Sequence, residues 1–295
     1  MDDRTGAVFD LGYKPYEGER LGRSGAIRGI VKDGMRRVLG LRRKARKKVY
    51  PWSLVVFAVL PAVVFVGLAF TLSAFSPDAE SPFGGHAEYI GLSGAIVLLF
   101  VALAAPELLI PDREEGVLAV YSSRPMTAWD YIGARAGALF GVVASFVLLP
   151  NLLMYIGFAA LDDRGLGSAL IGNLDEMARI LAVMTAYIVG YGAPALLIAT
   201  YAKRTGPAAG TYLAIMFGSA GFAEAFQRID FDGARYGTLL SLLQHPEVVR
   251  NWVFDKPQEA APIAAGFEPW MSAAVIAVVA VATAYLMYRR YRDEL

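Results

Sequence analysis

The sequence predicts an all-α membrane protein: six transmembrane helices, an amphipathic helix before the first, a short cytoplasmic helix between the second and third, and short outer helices between the fifth and sixth. Three observations predict it. Hydrophobic residues make up 56% of the 295 residues before the 30 glycines are counted, and the mean hydropathy is +0.44; a soluble domain holds about 45–50% with glycine included. The excess is gathered into runs of about 20 residues, the length that crosses a hydrocarbon core. The cations are also unevenly placed: residues 1–52 carry 14 of the 28 Lys+Arg against six acids.

The runs fall at 52–75, 89–110, 131–160, 176–201, 207–225 and 269–288. They must be helices, because lipid offers no partner for an unpaired backbone amide, and no ten-residue alternating segments of the β-barrel kind occur. The first run follows some fifty residues and exceeds 20 residues, so it reads as an anchor rather than a signal peptide. The third is the longest and carries Pro150 and Asn151, where a tilt or kink is expected. With both ends placed in the cytoplasm, the inner segments 1–51, 111–130, 202–206 and 289–295, together with Arg135, hold 22 of the 28 basic residues. Cytoplasmic loops are the basic ones, so both termini are expected inside.

Before the first span, Ile27, Val31, Met35 and Val38 recur at helical spacing, with Arg28, Lys32, Arg36 and Arg37 facing away. The cluster Arg42, Arg43, Lys44, Arg46, Lys47 and Lys48 follows. A basic amphipathic helix beside a span suits an anionic lipid surface, and an ordinary positive-inside flank explains the charges equally. No aromatic platform accompanies them, so nucleic acid is not an expected partner.

Between spans two and three lies a charged start, Asp112, Arg113, Glu114 and Glu115, then a short helix exposing Val117, Leu118, Val120 and Tyr121. Arg124-Pro125 ends it, since proline disfavours a helical residue before it. Thr127 and Asp130 are placed to cap the next span. Such a helix is either a docking element for a soluble partner or a surface helix lying in the headgroups. The outer segment 226–268 is too apolar for a free loop and reads as one or two short helices near 237–254, broken at His245-Pro246.

Several functions are disfavoured. With no cysteine there is no disulfide or thiolate chemistry. His86 and His245 are the only histidines, and both sit in outer segments, so no Ser/His pair or metal cluster is expected within the bilayer. No Gly-x-x-x-x-Gly-Lys-Ser/Thr run occurs, and the Leu92-Ser93-Gly94 triplet lies inside a span without a following Gly-Gln. The carboxylates Asp162, Asp163, Asp230 and Asp232 read as solvated loop charges. Gly133, Gly137 and Gly141 share a face at the start of span three and suit close helix packing, within the subunit or at a subunit interface. Gly206 and Gly210 repeat that spacing, and Gly190 and Gly192 before Pro194 mark a candidate flexible point.

With these segments in place, the chain resembles the permease subunits of type-2 ABC (ATP-binding cassette) exporters. The likeness rests on the topology and on the run 106–135, with its charged cluster, the stretch Leu118-Ala119-Val120-Tyr121-Ser122-Ser123-Arg124-Pro125, and Asp130-Tyr131-x-x-Gly133 leading into span three. The N-terminal Phe9-Asp10-Leu11-Gly12-Tyr13 and Tyr16-Glu17-Gly18 with Arg20, followed by Gly40-Leu41-Arg42-Arg43-Lys44, are similar to actinobacterial permeases of that family. The resemblance implies a connecting helix over 21–48 and a coupling helix over about 112–124. Asp112, Arg113, Glu114, Glu115, Val117, Val120, Tyr121 and Arg124 would then seat in a cleft of a separate ATPase subunit, which would carry ATP and Mg. It further implies a second permease subunit, identical or related, and no catalyst or cofactor in this chain. Apolar pore walls, with spans two and five as the expected lining, suit a hydrophobic or amphiphilic cargo. Two alternatives stand beside it: an ABC-like module with a sensing or assembly role, and an ion-coupled carrier. The second would need ionisable groups deep in the membrane, and the span centres carry none.

Overall fold

The computed structural model describes residues 21–41, 46–75, 84–123, 126–229 and 233–294. Arg42, Arg43, Lys44, Arg124, Asp230 and Asp232 lie outside the described residues, as do residues 1–20 and the side chains of Arg46 and Lys47.

Every regular element among the described residues is helical. Helix α1 spans Gly22–Val38, and α2 Arg46–Phe75. Helix α3 spans His86–Glu114, and the short α4 Val117–Ser122. Helix α5 spans Ala128–Ala160, α6 Leu166–Gly172, α7 Leu174–Tyr201 and α8 Thr205–Gln227. A 3-10 turn at Ala234–Leu240 precedes α9 (His245–Val253), α10 (Ala261–Ala264) and α11 (Pro269–Tyr291).

Five of these helices, α2, α3, α5, α7 and α11, are long and apolar enough to cross a membrane, and the chain is a multi-pass membrane protein. The fifth expected span forms as α8 but does not join that set. Four glycines, Pro207, Thr211, Ser219 and Glu224 dilute its apolar residues. It folds back beside α7 after the three-residue connection 202–204 and packs on α3 and α7.

The core lies along α3 and α7, the two most buried spans, while α2 and α11 show most of their surface to the outside. Small residues set the closest approaches. Gly94 faces the Tyr187 ring, Gly192 the Phe140 ring and Gly157 the Val66 side chain, and at each a Cβ would collide. Tyrosine hydroxyls then tie helix to helix by donating to backbone carbonyls: Tyr89 to Ala58 (2.9 Å), Tyr50 to Leu99 (2.6 Å) and Tyr212 to Tyr191 (3.1 Å). Helix α5 runs unbroken through Pro150 for 33 residues, about 50 Å. Beside it the buried Asn151 meets His86 Nδ1 at 3.1 Å.

The bundle has two polar ends. One gathers α1, α4, the last turns of α3, α7 and α11, and the first turns of α2, α5 and α8. The other carries residues 233–268. There Lys256 pairs with Glu88 (2.6 Å), Arg179 donates to Val253 O (3.1 Å), and Gln227 reaches Ala261 O (2.8 Å). His245-Pro246 starts α9 rather than breaking a helix, because proline is tolerated in a first turn, where no amide bond is lost.

His245 is buried between α9 and α11. Its Nε2–H donates to Leu239 O at 2.9 Å, and Nδ1 accepts from the Ser272 hydroxyl at 3.0 Å. Burial lowers its pKa below the ordinary histidine value, and the bond to Leu239 opposes this only in part. A folded-state pKa below the unfolded one means the unfolded chain binds the extra proton. The stabilisation is therefore complete above about pH 6.5 and is lost as pH falls toward the folded value. Melting of the detergent-purified chain from pH 7.5 to 5 is expected to show the gap between wild type and His245→Gln narrowing on acidification. A gap constant across that range would contradict it.

Candidate functional site

The elbow between α3 and α5 is built from a helix that ends in charge. Leu108, Leu109, Ile110 and Asp112 are all buried at the end of α3. Gly116 turns the chain at φ +68°, a left-handed conformation that glycine adopts without the Cβ penalty, and so starts α4. Thr127 then caps α5: its hydroxyl accepts from Asp130 N–H (3.3 Å), and Asp130 Oδ2 accepts from Thr127 N–H (2.9 Å). Arg23 of α1 closes on the same carboxylate with two bonds, of 2.9 and 2.8 Å.

Beneath the elbow two carboxylates and two guanidinium groups join three helices. Asp112 and Arg135 are both fully buried. Asp112 Oδ2 accepts from Arg135 Nη2 (2.6 Å), from Arg135 Nε (2.9 Å) and from the Tyr131 hydroxyl (2.9 Å), while Oδ1 accepts from Arg37 (2.9 Å). Asp33, one turn before Arg37 on α1, accepts from Arg37 (3.0 Å) and from Arg135 (3.2 Å). The cluster is formally neutral, and each acid is bonded to both bases. A buried charge is tolerable on those terms, because desolvation is offset only where pairing and hydrogen bonding are both complete. Gly34 makes the approach possible: a Cβ there would lie 2.7 Å from Ala138 Cβ and 3.2 Å from Arg135 Nη1.

Arg113 points the other way around α3. Its guanidinium donates to the carbonyls of Ala199 (2.7 Å), Thr200 and Ala202 (2.7 Å), at the end of α7. Those are carbonyls a helix leaves without intrahelical partners, and a cation there also meets the negative end of the helix dipole. Trp129 stacks on Tyr288 of α11 at 4.8 Å, so the elbow also touches the last helix.

The expected docking residues therefore divide. Asp112 and Arg113 turn inward and hold helices together, as does Arg37, which was expected to face away. Leu118, expected on the outer face, is buried under α4. Tyr121 is half-buried, with its hydroxyl accepting from Arg135 Nη2 at 3.4 Å. Glu114, Glu115 and Val120 face outward, Val120 at 57% exposure, and Val117 is half-buried. Arg36 is half-buried and Lys48 exposed. Arg135 takes Asp112 and Asp33 as its acidic partners. Of the glycine row, Gly133 and Gly137 face open space, and Gly141 alone packs inside the chain, against Met35.

Asp33 and Gly34 were not singled out by sequence. Asp33 is the only acid within 21–48, but nothing in its spacing points to Arg135, 102 positions away. No family model matches the chain, and no curated protein matches it.

Proposed function

We propose that this chain is the permease subunit of an ATP-driven exporter of the type-2 ABC kind, moving a hydrophobic or amphiphilic cargo across a bacterial cytoplasmic membrane. In this reading α8 crosses the membrane as the fifth of six spans, both termini are cytoplasmic, and α1 and α4 are the connecting and coupling helices. Two permease subunits, identical or related, enclose the path. ATP and Mg bind separate ATPase subunits, and this chain contributes no catalytic group.

The observation that carries the reading is the seating of α4. It presents Val120 outward, while the elbow at its base is fixed to α1 and α5 through Asp112 and Arg135, and to α7 through Arg113. A push on α4 is not readily absorbed locally, because Asp112 and Arg135 at its base are buried and fully bonded. It would pass to the ends of several spans at once, as a transmitter of mechanical work requires. The span centres hold no Asp, Glu, Lys or Arg, which an ion-coupled carrier would need.

The test is reconstitution in vesicles with an ATPase encoded beside it. Cargo movement is expected only with both proteins and with hydrolysable ATP, and is expected to survive collapse of the proton gradient. Transport by the chain alone, or transport lost with the gradient while ATP remains, would overturn the reading.

A further inference from the structure

Helices α7 and α8 diverge from their connection at 202–204 and leave a groove of about 540 Å3 between them. Its walls are apolar, formed by Leu197, Ile198, Pro207 and Ala208. At its mouth stand Lys203 and Arg204, both exposed and neither paired with a carboxylate among the described residues. They differ in this from Arg23, Arg37, Arg135, Arg179, Arg250 and Lys256, all of which have acidic partners. No side chain caps the start of α8, so its first amides add to the same positive potential.

The chemistry that matches a greasy channel with two free cations at one end is an amphiphile with an anionic head. We propose that the α7–α8 groove holds one anionic phospholipid, its acyl chain along Leu197, Ile198 and Pro207 and its phosphate over Lys203 and Arg204. A soluble phosphate would satisfy the cations but leave the apolar walls wet. A zwitterionic lipid would fill the groove but bring its own cation to the two already there. The groove opens beside Tyr201, which is 54% exposed, so a lipid enters sideways from the bilayer. The site also suits α8 itself, the one expected span outside the set of five, because a bound acyl chain supplies apolar surface beside its glycines and polar residues.

Native mass spectrometry of the full chain in detergent, titrated with phosphatidylglycerol or phosphatidylcholine, tests this. Wild type is expected to bind the first about tenfold more tightly, a modest figure for two interfacial cations. Lys203→Gln with Arg204→Gln is expected to abolish the preference. Thr211→Trp, at an exposed position on the groove wall, is expected to weaken both lipids without changing any charge. Arg28→Gln, an exposed cation on α1 at the same end of the bundle and outside the groove lining, is expected to change neither. Equal binding of the two lipids by wild type would overturn the proposal. So would a preference that survives the double substitution, or glycerol phosphate competing as well as the whole lipid. A groove closed by a second copy of the chain would appear as a dimer to which neither lipid adds, and that too would overturn it.

Discussion

Arg135→Met is expected to cost about 3–5 kcal/mol of stability, the range for removing one member of a buried ion pair. The substitution roughly keeps the volume of the side chain and removes five polar contacts, a long one to Ile30 O (3.5 Å) among them. Asp112 would lose both its Nε and Nη2 donors and keep only Arg37 and the Tyr131 hydroxyl. Asp33 would keep only Arg37, and the Tyr121 hydroxyl would lose its donor. Because Oδ1 of Asp112 remains paired, the lower end of the range is the expected figure. Tryptophan fluorescence during melting in detergent measures it, with Trp129 stacked on Tyr288 beside the cluster as a local reporter. Adding Asp112→Asn should not add its own full loss. The double variant leaves Arg37 and Asp33, which already face each other at 3.0 Å, so the charges that remain are paired. The double loss is expected to fall short of the sum of the singles by about 1–3 kcal/mol, the size of coupling between residues of one network. Strict additivity, or a single variant that melts like wild type, would show that the cluster does not hold the elbow.

Five spans could be read from the sequence because apolar runs of that length have one stable solution in lipid. Their ends could not. Helix α3 continues from 110 to Glu114 because backbone hydrogen bonding does not stop where the apolar side chains do. The same extension explains why Asp112 was grouped with Glu114 and Glu115 as a surface charge. Two positions apart on a helix is 200°, so Asp112 and Glu114 lie on opposite sides. Carrying the helical period past the apolar run puts Asp112 one turn beyond Leu108, on the buried face, and puts Arg135 one turn beyond Tyr131. That much is legible in the sequence. What the period cannot supply is the partner. Asp33 and Arg37 reach the cluster only because α1 folds back over α3 and α5, and Gly34 matters only at that crossing. For α8 the difficulty is the reverse: the helix can be read, but its glycines and polar residues keep it out of the set long and apolar enough to cross a membrane.

Val120→Asp is expected to separate folding from function. At 57% exposure, Val120 is the most exposed large apolar side chain of α4, and no described hydrogen bond depends on it. Only its backbone carbonyl is used, by the Ser123 hydroxyl, and the substitution leaves that carbonyl in place. Leu118 stays buried and Tyr121 keeps its place beside Arg135, so stability should change by no more than about 0.5 kcal/mol, as for other surface substitutions. The effect on a partner is of another size. If Val120 seats in an apolar notch of an ATPase, a carboxylate there is buried without a counter-charge, at a cost of several kcal/mol. A loss of about 3 kcal/mol in association corresponds to roughly 100-fold weaker binding, and ATP-driven cargo movement should fall with it. Val120→Leu keeps the surface apolar and is expected to retain both binding and transport. Tyr121→Asp is a poorer probe, because it disturbs the Arg135 contact as well as the outer face. Wild-type transport by Val120→Asp would remove α4 as the receiving element, whatever the elbow beneath it does for the fold.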